Sequence, residues 1–177
     1  MAYLIRQMKE KDISQIMKIE EISFGTHHWT EDSFKSELTN QTGNYFVIYD
    51  KDINKLVGYC GFWLIMDEAH VTTIAVHPDY RRKHLGELLL QHLIDYCTRR
   101  KAKWMTLEVR ISNIGAQKLY YKYGFSSLGL RRKYYQDNDE DALIMWTEDI
   151  HYQQFKENYQ LLKEELRNHI NNEVIYQ

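Results

Sequence analysis

The spacing of apolar residues along the chain changes period several times, and each change marks a new element. Residues 3–8 alternate apolar and polar and predict a short first strand. Ile13, Ile16, Met17 and Ile19 fall on one stripe of a helix that Asp12 is placed to cap and that ends near Phe24 and Gly25. A second short helix is expected after Thr30, with Phe34 and Leu38 on its inner face. Strand periodicity follows over residues 44–50, 56–66 and 70–76, the last stopping at His77 and Pro78. From Leu85 to about Arg100, the residues Leu85, Leu88, Leu89, Leu93, Tyr96 and Cys97 return to helical spacing. Residues 105–109 predict a strand, Ile114–Lys122 a helix ended by Gly124, and residues 131–135 and 142–147 two final strands around an acidic turn. Tyr152, Phe155, Tyr159, Leu162, Leu166 and Ile170 recur every three or four positions, predicting an amphipathic terminal helix from His151 to about Asn172. This order, without an internal repeat or a linker, points to one mixed α/β layer structure.

Composition narrows the setting. The 177 residues suit one compact domain, 44% hydrophobic and 27% charged, with eight Gly and one Pro. A formal net charge of −2 provides no overall attraction to nucleic acid or to an anionic membrane, so any basic site must be local. Cys60 and Cys97 belong to no paired metal or redox motif and read as buried reduced thiols. The longest apolar stretch, residues 58–66, is shorter than the roughly 20 residues a membrane span takes, and residues 1–12 lack a secretory pattern. The expected location is the cytoplasm, or an equivalent reducing compartment such as a plastid stroma. His27, His28 and the acidic residues 137–141 lack the spacing of a metal site, and no metal is expected.

The first candidate for chemistry is loop 81–86, Arg81-Arg82-Lys83-His84-Leu85-Gly86, which runs from a buried strand into a helix. A helix start offers unpaired backbone N–H groups and a positive dipole end, and three successive cations add charge, so the junction suits a phosphate. Gly86 would let the backbone approach closely and leave the turn without strain. The bland alternative is a solvated basic loop. The second candidate is Glu108, a carboxylate within the apolar strand Leu107-Glu108-Val109, which needs a partner if buried; Arg110 is the structural choice. Tyr120, Tyr121 and Tyr123 follow on the next helix, and residue type alone does not choose among them.

These segments resemble the GNAT family of acetyl-CoA-dependent N-acetyltransferases. In that family a strand leads to a basic residue or Gln, two residues, Gly, any residue, Gly or Ala, and then a helix. Arg81 and Gly86 fill the outer positions, while His84 stands where the family has its first Gly. The stretch from Leu107 to Asn113, the interval from Glu108 to Tyr120, and Tyr123-Gly124-Phe125 resemble the ribosomal-protein-alanine N-acetyltransferase subgroup, as do residues 28–38, 131–135 and 140–145.

The resemblance covers about residues 3–147 and implies a central, mostly antiparallel twisted sheet flanked by helices, in a domain spanning residues 1–147. Residues 148–177 would form a helical extension that either packs back on the domain or serves a partner. It also implies acetyl-CoA as cosubstrate, no metal, and the N-terminus of a ribosomal protein as acceptor. The cofactor would meet Ile74, Ala75 and Val76 through strand-like backbone pairing. It would further meet Arg81, Arg82, Lys83, His84, Leu85, Gly86 and Glu87 at its pyrophosphate, and Asn113. Glu108 would be the general base, with a modestly raised pKa, and Tyr120 the general acid. Trp29, Tyr134 and Tyr135 would line the peptide groove. Freeing an α-amine at pH 7 costs about 1.4 kcal/mol against roughly 4.6 for lysine, so a carboxylate base suits an N-terminal acceptor. A broader amine acetyltransferase and a non-catalytic acyl-CoA-binding module are the alternative functions.

Overall fold

The computed structural model describes residues 2–170 and 173–177. The first half of the chain forms β1 (Ala2–Gln7), α1 (Ile13–Phe24), α2 (Glu31–Thr39), β2 (Gly43–Asp50), β3 (Lys55–Ile65), β4 (Glu68–Val76) and α3 (Leu85–Arg99). The second half forms β5 (Trp104–Arg110), α4 (Ile114–Lys122), β6 (Phe125–Tyr135), β7 (Glu140–Thr147), α5 (Gln153–His169) and β8 (Glu173–Tyr176). The strands make one sheet in the order β6-β7-β5-β4-β3-β2-β1-β8. Its pairs are antiparallel except β4–β5 and β1–β8. This is the mixed α/β architecture that the periodicity predicts.

Strand alternation divides the core between the two sheet faces. On β2, Tyr45, Val47 and Tyr49 join Ile13, Ile16, Ile19 and Phe34 beneath α1 and α2. Phe46 and Ile48, on the opposite face, join Leu88, Leu89 and Leu93 of α3 and Phe155 and Leu166 of α5. Cys60 and Cys97 are free and buried, and burial pushes both thiols up.

Three local features depart from the sequence expectation. Asp12 does not cap α1: its carboxylate instead receives Arg6 at 2.7 and 2.9 Å, the Lys9 N–H at 2.8 Å and the Tyr49 hydroxyl at 2.8 Å. Thr30 does cap α2, accepting from the Ser33 N–H at 3.1 Å. The terminal helix ends at His169, so its expected end at residue 172 lies outside the described residues. Beyond it β8 pairs in parallel with β1, from Ala2↔Glu173 to Ile5↔Tyr176, which the helical spacing did not foretell.

The terminal helix itself packs back on the domain. The Tyr159 hydroxyl lies 2.9 Å from both the Gln91 carbonyl and an Asp95 carboxylate oxygen, and Lys163 pairs with Asp95 at 2.9 Å. Among the described residues no helix is long and apolar enough to cross a membrane.

Candidate active site

The site begins where β4 and β5 part. Their parallel pairing runs only from Glu68↔Trp104 to His70↔Thr106. On its other edge β4 stays paired with β3 as far as Gly58↔Val76, with a register shift at which Gly61 faces Thr73 and Phe62 faces Val71. Thr72 is thus an extra residue, a bulge that bends β4. Past His70, the β5-facing edge of β4 has no strand partner among the described residues.

A cavity of about 320 Å³ opens in this fork, lined by His70, Thr72, Thr73 and Ile74 of β4 and by Leu107 to Arg110 of β5. Asn113, Tyr120, Tyr134 and Tyr135 complete the lining together with Glu20, His27, Trp29 and Trp63. Glu108, Tyr120, Ile74, Asn113, Trp29, Tyr134 and Tyr135 therefore come together, although they stand far apart in sequence. Asn113 is also spent locally, since its Oδ1 caps α4 by accepting from the Ala116 N–H at 3.2 Å. Trp29 packs on Phe34 at 5.2 Å and Tyr45 at 6.2 Å. His27 meets the edge of Tyr135 at 6.0 Å, and His28 Nδ1 lies 2.7 Å from the Trp29 carbonyl.

The structure separates the three tyrosines. Tyr121 is exposed, and Tyr123 is buried with its hydroxyl 2.7 Å from Glu87. Tyr120 alone of the three lines the cavity, with its ring 5.7 Å from Phe125. Burial, with Tyr135 adding to it, pushes the Tyr120 phenol up, so it stays protonated.

Glu108 is not paired with Arg110. His70 Nε2 lies 2.6 Å from its Oε2, and Arg131 Nε lies 3.2 Å from its Oε1. Arg110 turns instead to Asp137 at 2.9 Å and Glu140 at 3.3 Å, with its guanidinium 3.9 Å from the Tyr135 ring centre. The expected rise in the Glu108 pKa is also reversed. Burial would raise it, but the His70 hydrogen bond, with the charges of His70 and Arg131, outweighs burial and holds the carboxyl below its ordinary value.

Loop 81–86 sits beyond the far end of β4. The left-handed residues there are Arg82 and His84, each at φ 61°, while Gly86 lies within the first turn of α3 and needs no unusual backbone angle. What Gly86 provides is room: a Cβ built there would meet only the Val76 side chain, at 3.9 Å. Leu88 is the first residue of α3 to bond back, to the His84 carbonyl at 2.9 Å, which leaves the amides of Leu85, Gly86 and Glu87 without helical partners. The side chains of Leu85 and Glu87 are turned to the interior. Leu85 is core, and the Glu87 carboxylate is bonded to Lys122 at 2.8 Å, Tyr123 at 2.7 Å and His84 at 3.1 Å. Ala75 is buried against the α1 face. Arg81 reaches the Val76 carbonyl at 3.2 Å and Ser23 at 3.4 Å, and Lys83 lies over Tyr80 at 4.7 Å. Free helix-start amides, open space at Gly86, three exposed cations and an unpaired strand edge together fit an extended ligand with a phosphate-bearing end.

Two residues at the carboxylate escaped the sequence reading, His70 and Arg131. His70 stands in a strand whose neighbours read as core, and nothing in its local pattern links it to a residue 38 positions away. Arg131 was visible only as part of a basic-aromatic strand segment.

A bulged β4 that parts from β5, a carboxylate and a tyrosine lining the gap, and a helix start beyond the end of β4 make one site on a mixed α/β fold. The chain belongs to the acetyltransferase (GNAT) family, whose model matches residues 3–125, and is an N-acetyltransferase. A Bacillus subtilis relative, named provisionally as a ribosomal protein bS18-alanine N-acetyltransferase, is 45% identical over 142 residues, 80% of this chain and 93% of its own. The Escherichia coli K12 ribosomal protein bS18-alanine N-acetyltransferase is 40% identical over 119 residues, 66% of this chain and 78% of its own. The crystal structure of the E. coli ribosomal-protein-S18-alanine N-acetyltransferase superposes with a TM-score of 0.76 at 34% identity, over 83% of this chain and 94% of that one.

Proposed function

We propose that this enzyme transfers the acetyl group of acetyl-CoA directly to the α-amine of an N-terminal alanine on a small-subunit ribosomal protein. The observation that carries the reading is the meeting of Glu108 and Tyr120 in one cavity at the fork of β4 and β5. Acetyl-CoA supplies a thioester acyl group. The edge of β4 at Ile74–Val76 and the amides at 85–87 are the groups to hold it, with Arg81, Arg82 and Lys83 neutralising its phosphates. Asn113 lies at the cavity's α4 rim, and Trp29, Tyr134 and Tyr135 flank the entering peptide.

Glu108 accepts the proton that the amine nitrogen sheds as it bonds to the acyl carbon. Because its carboxyl is held below the ordinary carboxylate value while an α-amine titrates near 8, complete transfer from the ammonium in the resting geometry is uphill. Arg131 accounts for part of that depression, and an amine that displaces it meets a stronger base. The ammonium therefore loses its first proton to water before attack, and Glu108 takes the second as the carbon–nitrogen bond forms. Tyr120, held neutral, donates its hydroxyl proton toward the leaving sulfur as the carbon–sulfur bond lengthens. The placement of the enzyme in the cytoplasm goes with this substrate.

The test is to mix the protein with acetyl-CoA and three peptides: one starting Ala-Arg, the same peptide acetyl-blocked, and one with an internal Lys. CoA release is expected only with the free Ala-Arg N-terminus. Glu108→Gln should lower kcat by about 10²- to 10³-fold while acetyl-CoA still binds. Tight acetyl-CoA binding without turnover on any peptide would overturn the enzyme reading.

A further inference from the structure

We propose that His70 is a positioning residue for the general base, fixing the Glu108 carboxylate in its ionised form at the point where β4 leaves β5. The inference rests on the role given above to Glu108 and adds a second residue to it. His70 is the last residue of β4 paired with β5, opposite Thr106, and Glu108 lies two positions further along β5, on the same face as Thr106. Backbone pairing stops at this level, and the 2.6 Å contact between His70 Nε2 and Glu108 Oε2 bridges the strands just beyond it.

The two partners of Glu108 differ in kind. Arg131 is a long, mobile type of side chain, 54% exposed, and it holds Oε1. His70 is short, 29% exposed, seated on a paired strand and flanked by the edge of the Trp63 ring at 5.6 Å, and it holds Oε2. An entering ammonium can take the place of one cation at Oε1. It cannot take the place of His70 without pulling at the fork itself. Oε1 is thus the exchangeable, proton-accepting oxygen, and Oε2 the anchored one. The imidazole donates from Nε2, which leaves a carboxylate 9% exposed with a charge-compatible partner when Arg131 has gone.

The groups facing the pair come from three elements. Arg131, Tyr134 and Tyr135 stand on β6, Trp63 on β3 and Tyr120 on α4. None of them offers a second hydrogen bond to Oε2. Removing the imidazole leaves burial opposed only by Arg131 and a backbone hydrogen bond, so the Glu108 titration moves to higher pH.

Three variants and two readouts decide the matter. His70→Ala is expected to lower kcat roughly tenfold to a hundredfold with KM for acetyl-CoA within twofold. The ¹³Cδ titration of Glu108, identified in labelled protein by its loss in Glu108→Gln, should shift upward in His70→Ala. His70→Gln, whose amide nitrogen can reach the place of Nε2, should recover most of kcat and most of the titration position. An unmoved Glu108 titration in a folded His70→Ala protein would overturn the proposal, as would a kcat loss that His70→Gln does not repair. If Glu108→Gln keeps its turnover, the base assignment fails, and the titration shift still reports separately on the His70–Glu108 bond.

Discussion

Loop 81–86 and the Glu108 cluster stand at opposite ends of the unpaired edge of β4, and they are built in opposite ways. At the loop the useful groups are main-chain amides and empty space. Leu85 and Glu87 bury their side chains elsewhere, and His84 sits in the left-handed conformation where the family pattern has Gly. At the cluster everything depends on side chains from different elements: Glu108 from β5, His70 from β4, Arg131 from β6 and Tyr120 from α4. A backbone site tolerates changes of side chain that do not fill its space. A side-chain site fails when one member is lost.

The largest expected effect separates the tyrosines. Tyr120→Phe should lower kcat by about 10²-fold without a change in melting temperature beyond a degree or two. Tyr123→Phe removes the hydroxyl bonded to buried Glu87 and should cost about 1–2 kcal/mol in a urea melt while kcat stays within twofold. Reversal of these two phenotypes would mean the wrong tyrosine faces the chemistry.

The next effect tests empty space. Gly86→Val meets little of the protein, since the nearest atom to a new Cβ is 3.9 Å away, so stability should change by less than about 0.5 kcal/mol. KM for acetyl-CoA should nonetheless rise at least about tenfold, because the added methyls occupy the approach to the helix-start amides. An unchanged KM would remove Gly86 from the binding surface. The companion change His84→Gly relieves a left-handed residue but loses a contact to Glu87, and acetyl-CoA affinity should stay the same or improve. A marked loss of affinity would show that the imidazole itself touches the ligand.

The smallest effect is in acid. Burial would raise the Glu87 pKa, but Lys122, Tyr123 and His84 outweigh it, so the folded value lies below the unfolded one. The unfolded state then binds more protons, and this contribution is present above about pH 4.3 and lost as pH falls through the folded value. In Lys122→Met the depression is smaller, so the urea midpoint should fall less steeply between about pH 5 and 3. Parallel slopes in the two proteins would assign the acid response to other carboxylates, of which Asp12 is the first candidate.

Most elements could be read from residue order because their signals are local. Thr30 and Gly124 mark the ends of helices, and the Leu85–Leu93 stripe marks α3. The terminal strand was missed because β8 is four residues long and owes its form to β1, at the other end of the chain. Asp12 was misassigned because a cap and an ion pair look alike in sequence, and Arg6 and Tyr49 competed for its carboxylate. Of the site, the strand-to-helix junction with its cations was legible, whereas the partners of Glu108 were not: Arg110 is near in sequence, but Asp137 and Glu140 hold it.

By itself the sequence determined the layer architecture, the strand-to-helix junction with its cations, and a carboxylate and tyrosines downstream. Those depend on periodicity and on short-range chemistry, which need no partner from afar. Only the tertiary structure decided that β4 bulges at Thr72 and leaves β5 after His70, that Tyr120 rather than Tyr121 or Tyr123 enters the fork, and that His70 and Arg131 share Glu108. Those depend on where strands stop pairing and which side chains then face one gap, and distance along the chain carries no record of that.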